Sequence, residues 1–201
     1  FNALTANGSS STSFDSGLTV ATDIGKLALN ATSITSAGAL TLTGATGIDF
    51  GSGVTFTAGG DLTMSTTSGD IIGTGAFTLT STGDISLAEN FTTAGATVIT
   101  ADSDGNGAGN FSNSSSTTLS TGNSALTLTA NDITLSGSIS SGTGSTTIAV
   151  SDGGTIGLGS TAGGMTISDT ELGNITAGTL NIGDSSTGNI TVDGISAANS
   201  N

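Results

Sequence analysis

The strongest constraint on this chain is an ungapped internal match at an offset of 37 residues. The segment GALTLTGATGIDFGSGVTFTAGGDLTM (38–64) aligns with GAFTLTSTGDISLAENFTTAGATVITA (75–101), placing Leu40 on Phe77, Leu42 on Leu79, Ile48 on Ile85, Val54 on Phe91 and Leu62 on Ile99. A third copy at 124–150 keeps nearly the same spacing through Leu126, Leu128, Ile133, Leu135, Ile139 and Ile148. A fixed period of this kind marks a repeat architecture, in which each unit buries its apolar face only against its neighbours. Ile99 and Leu126 stand 27 residues apart against 15 for Leu62 and Phe77. The excess predicts an inserted loop at about 102–116.

Within each copy the local unit is apolar-x-apolar, as in Leu40-Thr-Leu42, Val54-Thr-Phe56, Phe77-Thr-Leu79 and Ile133-Thr-Leu135. Alternation puts two side chains inside and a threonine outside, the signature of a short half-buried strand. Gly, Ser, Asn and Asp between the units are turn formers, and no helical period is present. Strands this short bury too little surface alone and must stack. The fold class expected is therefore all-β: a right-handed parallel β-helix, or β-solenoid, filling 1–201 as one unit, since parallel crossovers are right-handed. Two coils per 37-residue block give coils of about 18–19 residues, on the order of ten coils, and a rod about 50 Å long. Leu40, Leu42, Ile48, Val54, Leu62, Phe77, Leu79, Ile85, Leu87, Leu126, Leu128, Ile133 and Leu135 are the expected core, stacked in columns on equivalent coils. An array of immunoglobulin-like sandwiches fits less well, because it needs longer strands and a large aromatic core residue.

Composition narrows the function classes. Lys26 is the one basic residue against 15 acidic ones, for a net charge of -14. Nucleic acid, which is bound through a basic surface, is excluded on that ground, and an anionic membrane surface would repel the chain. No apolar run approaches the roughly 20 residues of a transmembrane helix. Without Cys there is neither a disulfide framework nor a thiolate metal site. The Ser/Thr/Gly-rich acidic composition reads as extracellular. The chain begins at Phe1 without an initiator Met or signal peptide, which is expected of a processed product or a segment of something longer.

The blocks GALTLTGATGIDF, GAFTLTSTGDISL and SALTLTANDITLSGSI, with LGNITAGTLNIGDSSTGNITVDGIS near the end, resemble the repeats of filamentous haemagglutinin-like large exoproteins, the two-partner-secreted and autotransported adhesins. The likeness runs from about Leu18 to Ser196. It implies a long β-helix at a bacterial cell surface, serving adhesion, biofilm or contact-dependent roles, with a host, glycan or biofilm-matrix partner and no shared catalytic motif. The secretion domain that opens such proteins is not recognisable, which fits a shaft segment or subunit.

Without His, Cys or Arg, a Ser-His-Asp triad, a zinc site or an arginine clamp cannot be assembled. The expectation is that the chain is not an enzyme. The alternatives are a carbohydrate-active β-helix enzyme, using an Asp pair such as Asp49 and Asp84 as acid and base, and an ice- or glycan-binding module. For the enzyme, solvated turn aspartates are the favoured reading. Stacked Thr-x-Thr rows on a flat face can order water and bind ice, and Thr41 and Thr43, Thr78 and Thr80, and Thr127 and Thr129 occupy equivalent block positions; the pattern skips coils, so exposed strand threonine is preferred. The Asn-x-Ser/Thr triplets at Asn30, Asn90 and Asn174 are read as chance in so Ser/Thr-rich a chain.

The best local motif is Asp102-Ser-Asp104-Gly-Asn106-Gly107. It matches the first half of a calcium loop, in which alternate oxygen side chains face one centre and Gly allows the sharp turn. Asp102, Asp104 and Asn106 are the candidate calcium ligands, although Asn113 stands where a bidentate Glu is needed. Neither end shows an amphipathic helix or Pro-bearing cap. Open strand edges then predict either that the protein continues beyond these residues or that copies associate head to tail through the coils around Leu18 to Leu29 and Ile190 to Ile195.

Overall fold

The computed structural model describes residues 4–6, 11–30 and 33–199. Three short strands recur per turn. The first two turns are β1 (Leu4–Ala6), β2 (Ser11–Phe14), β3 (Leu18–Ala21) and β4 (Leu27–Leu29), β5 (Ser33–Ser36), β6 (Leu40–Gly44). Next come β7 (Ile48–Phe50), β8 (Val54–Ala58), β9 (Leu62–Thr66) and β10 (Ile71–Gly73), β11 (Phe77–Ser81), β12 (Ile85–Leu87). These are followed by β13 (Phe91–Thr93), β14 (Thr97–Thr100), β15 (Phe111–Asn113) and β16 (Thr118–Ser120), β17 (Leu126–Ala130), β18 (Ile133–Leu135). Last are β19 (Ser138–Ser140), β20 (Ser145–Val150), β21 (Ile156–Gly159), β22 (Met165–Ile167), helix α1 (Asp169–Gly173), β23 (Ile175–Thr176), β24 (Thr179–Ile182) and β25 (Ile190–Asp193).

Every pairing is parallel and in register, and like strands of successive turns stack into three faces. The first face runs β1-β4-β7-β10-β13-β16-β19-β23, the second β2-β5-β8-β11-β14-β17-β20-β24, and the third β3-β6-β9-β12-β15-β18. The chain is thus a β-solenoid. Eight strands at about 4.8 Å give a stack roughly 34 Å tall, shorter than the expected rod. The coils are longer than expected: Ile48 pairs with Ile71 and Ile71 with Phe91, 23 and 20 residues apart. The 37-residue period therefore counts strands, not coils. It carries β6 to β11, five strands on, so Leu40 lies on the third face and Phe77 on the second. All thirteen expected core residues are buried, but the residues aligned at offset 37 occupy different columns.

The true columns follow the register. Leu27, Ile48, Ile71, Phe91, Leu119 and Ile139 form one on the first face, and Leu40, Leu62, Ile85, Phe111 and Ile133 one on the third. Phe77 meets Phe50, Phe56 and Phe91 at ring-centroid distances of 4.9, 5.6 and 5.1 Å. Five of the seven phenylalanines, Phe50, Phe56, Phe77, Phe91 and Phe111, are buried, and the four of this cluster sit mid-rod.

The corners are closed by buried hydroxyls. Thr22, Thr66, Thr121 and Ser141 each donate to the carbonyl three residues on, of Gly25, Gly69, Ser124 and Gly144, at 2.6, 2.6, 2.5 and 3.1 Å. The short side chain satisfies the turn carbonyl locally; the Gly25 and Gly144 carbonyls also accept the N–H groups of Thr46 and Gly178 on the next coil. These residues are turn formers, as their composition suggests, with their hydroxyls inside.

Beyond β18 the regular stack changes. A one-turn helix, α1, begins at Ser168 with a full capping box closed by Glu171, and buries Leu172. Glu171 also accepts the Leu135 N–H through Oε1 at 3.1 Å, and Asn174 Nδ2 donates to the Leu135 carbonyl at 2.8 Å. Two side chains thus replace a neighbouring strand at the edge of the third face, a cap of the kind native edges need. The sequence shows no recognisable amphipathic cap because this helix, of five residues, is too short to produce a helical period. β22 lies beside β18 and pairs with β21, which pairs in turn with β25.

Candidate functional site

The inserted loop connects β14 to β15. It is shorter than the 102–116 expected, because residues 111–113 already belong to β15. Asp102 is buried at 1% exposure with φ of 53°, a left-handed conformation that Asp tolerates better than most residues. Its Oδ1 accepts the Asn106 N–H at 3.0 Å, its Oδ2 the Gly107 N–H at 3.1 Å and the Ser151 hydroxyl at 2.5 Å. Burial raises the Asp102 pKa, but the bonds from Ser151 and from the backbone of Gly107, Ala108 and Asn106 outweigh it and hold the carboxyl below its ordinary value. Asp104 is exposed and accepts from Asn106 Nδ2 at 2.9 Å.

The three residues of the calcium motif do share one loop, but donors already surround the buried carboxylate. Asn113 is elsewhere: it points into the lumen from β15, accepts the Gly137 N–H and donates to the Ser138 carbonyl, both at 3.2 Å. Among the described residues no group of three or more His, Cys, Asp or Glu is gathered closely enough to hold a metal ion.

Asp61 and Asp84 are exposed at a corner, as expected of solvated turn residues, and also carry bonds between coils. Asp61 Oδ1 accepts the Asp84 N–H at 3.1 Å, Asp84 Oδ1 the Asn110 N–H at 2.8 Å, and Asn110 Oδ1 the Asn131 side-chain amide at 3.1 Å. Each side chain ties its coil to the next, so the ladder climbs one corner of the rod. Gly83 stands against it: a Cβ there would lie 2.3 Å from Asp61 Oδ1. Asp70, Asn90 and Thr118 form a second ladder, Asn90 Nδ2 donating to Asp70 Oδ1 and Asn90 Oδ1 accepting the Thr118 N–H. Asp49, on β7 of the first face, is bonded by Lys26 Nζ at 3.0 and 3.1 Å, whereas Asp84 lies at the corner before β12. The structure does not bring Asp49 and Asp84 together as an acid and base.

The side-chain amides of Asn90 and Asn174 are both engaged in these structural bonds; residues 31 and 32 of the triplet at Asn30 lie outside the described residues. At the far end, a groove of about 230 Å³ is lined by Leu172, Ile175, Ala177, Leu180, Ala198 and Asn199. Asn199 donates to Asp169, whose carboxyl is held below the ordinary value by the Ser196 N–H and the Asn199 amide. No helix among the described residues is long and apolar enough to cross a membrane. No family model, no curated protein and no solved structure matches this chain.

Proposed function

We propose that this chain is a structural or adhesive β-solenoid of an extracellular, bacterial cell-surface fibre, that its coils stack head to tail with those of further copies, and that it is not an enzyme. The observation that carries the proposal is the state of the last turn. Leu180, Ile190 and Val192 continue the inward columns of Thr146, Ile156 and Leu158. The earlier three are 0%, 0% and 8% exposed, the later three 37%, 42% and 60%. At the opposite end Phe14, in register with buried Ser36, is 37% exposed. Phe14 and the last turn thus present inward-type apolar side chains beside parallel strand edges, which a further coil would cover. A heterologous contact of this kind propagates without closing.

The edge also sets the test. Ile156 N–H donates to the Asn189 carbonyl and Ser160 N–H to that of Asp193. By the alternation of a parallel strand, residues 189, 191 and 193 face β21, and Ile190 and Val192 turn their backbone groups to the open side. Leu180→Asp with Val192→Asp leaves the internal ladder intact and puts charge into the contact. By electron microscopy the parent protein should form rods many times the roughly 34 Å of one copy, and the double variant single short rods. Single rods from the parent at millimolar concentration, or unchanged fibres from the variant, would overturn the head-to-tail contact.

A further inference from the structure

The register reveals a surface that the 37-residue alignment concealed. Thr41 and Thr43 lie on the third face, not with Thr78 and Thr80. On the second face, however, outward residues form two parallel rows across six consecutive strands. One row is Ser33, Thr55, Thr78, Val98, Thr127 and Thr147; the other is Thr35, Thr57, Thr80, Thr100, Thr129 and Ala149. The rows skip no coil. Val98 keeps the branched shape of threonine, and buried Ala149 ends the second row.

We propose that this face binds ice. Neighbours along a row repeat at about 4.8 Å, and the two rows are two residues, about 6.6 Å, apart. This is a two-dimensional grid of hydroxyls and methyls on the scale of the oxygen repeats in ice lattice planes. Threonine is stiff at χ1, and directly behind the grid Val54, Phe56, Leu79, Ile99, Leu126 and Leu128 are buried at 0–1%. The hydroxyls are thus held in place before water arrives, and little entropy remains to be lost when it orders.

The chain carries a net charge of -14, yet none of these six strands contains a charged residue. Charged side chains orient water around themselves and break a lattice, so their absence is required of such a face; the strands of the third face lack them too, and what sets the second face apart is its pair of rows. The hydroxyls of the other faces also pair with one another, Thr43 with Ser65, Ser86 with Ser112, and Thr118 with Ser138. On the second face a comparable side-chain bond lies at the far edge, from Asn181 to Thr147. The third face carries a single continuous outward row, Thr19, Thr41, Thr63, Ser86, Ser112 and Thr134, so it serves as a control with similar chemistry and no grid.

The experiment is partition into slowly grown ice, with the shape of a seed crystal held just below freezing as a second readout. The parent protein should be enriched in the ice and facet the seed. Thr80→Tyr with Thr127→Tyr on the second face should lower enrichment at least tenfold, whereas Thr63→Tyr with Ser86→Tyr on the third face should leave it unchanged. Thermal melts establish that both variants fold; Thr80→Ser with Thr127→Ser, which keeps the hydroxyls and removes two methyls, should show a smaller loss. Exclusion of the parent protein from ice, or equal loss in both tyrosine variants, overturns the proposal. Retention on cellulose or chitin without ice uptake overturns it in favour of a polysaccharide ligand. None of these readouts depends on head-to-tail stacking.

Discussion

Ser151 donates its hydroxyl to the Asp102 carboxylate at 2.5 Å across 49 positions of sequence. The bond anchors the inserted loop to the end of β20, two coils' worth of chain away. Because Asp102 has a lowered pKa in the fold, its contribution to stability is fully present above the unfolded value of about 3.9 and is lost as pH falls through the folded value. Ser151→Ala should cost about 1.5–3 kcal/mol at pH 7, the range for a hydrogen bond to a charged group. It should also move acid unfolding to higher pH. Urea melts at pH 7 and a circular-dichroism pH titration check both effects; an unshifted acid transition would mean that Ser151 does not hold the carboxylate.

Phe77 touches three other rings, so its removal leaves a cavity that no single neighbour can fill. Phe77→Ala should lower stability by about 3–5 kcal/mol. Leu87→Ala, on the third face and apart from the ring cluster, should cost nearer the lower end of the 2–5 kcal/mol seen for such truncations. Denaturant melts of the two variants give the comparison.

The bond from the Leu135 N–H to Glu171 makes a local prediction. Glu171→Ala removes the capping box and the Glu171 half of the edge cap, so the Leu135 amide should exchange with solvent at least tenfold faster while amides at the middle of the rod, such as Leu79, are unaffected. Glu171→Gln keeps an oxygen at the same reach and should restore most of the protection. Hydrogen exchange followed by mass spectrometry or NMR resolves this.

The sequence made the inward residues legible and the coil illegible, for one physical reason. Alternation alone places Leu40, Leu42, Phe77 and Leu79 inside, and all are buried. But the apolar-x-apolar strand is the same unit on all three faces, so the best self-match slides β6 onto β11 and crosses faces. What tells the faces apart is at the corners. Thr66 and Ser141 close their turns with hydroxyl bonds, and in composition they look like any other Ser or Thr. The helix did have a signal, Ser168-Asp-Thr-Glu171, the S-x-x-E of a capping box, passed over because five residues cannot show a period. Asn113 had none: its place in the lumen depends on Gly137 and Ser138 of a neighbouring coil.

Calcium can act on this chain in two ways, and the Asp102 geometry separates them. As a ligand at the inserted loop, the ion would have to displace the Ser151 hydroxyl and the N–H donors that fill the Asp102 oxygens, which leaves Asp104 as the accessible carboxylate. As a counterion, it needs only the net charge of -14, whose self-repulsion divalent cations relieve wherever they condense. Asp104→Asn removes one charge from the loop without touching the buried bonds, and Asp15→Asn removes one exposed charge far from it, near the first turn of the rod. Asp61 and Asp84 are unsuitable controls because they belong to the corner ladder. If calcium is a counterion, millimolar calcium should raise the melting temperature of the parent protein and of both variants by the same amount, and sodium at matched ionic strength should reproduce much of the rise. A calcium-induced rise lost in Asp104→Asn and kept in Asp15→Asn would instead place a specific ion at the loop.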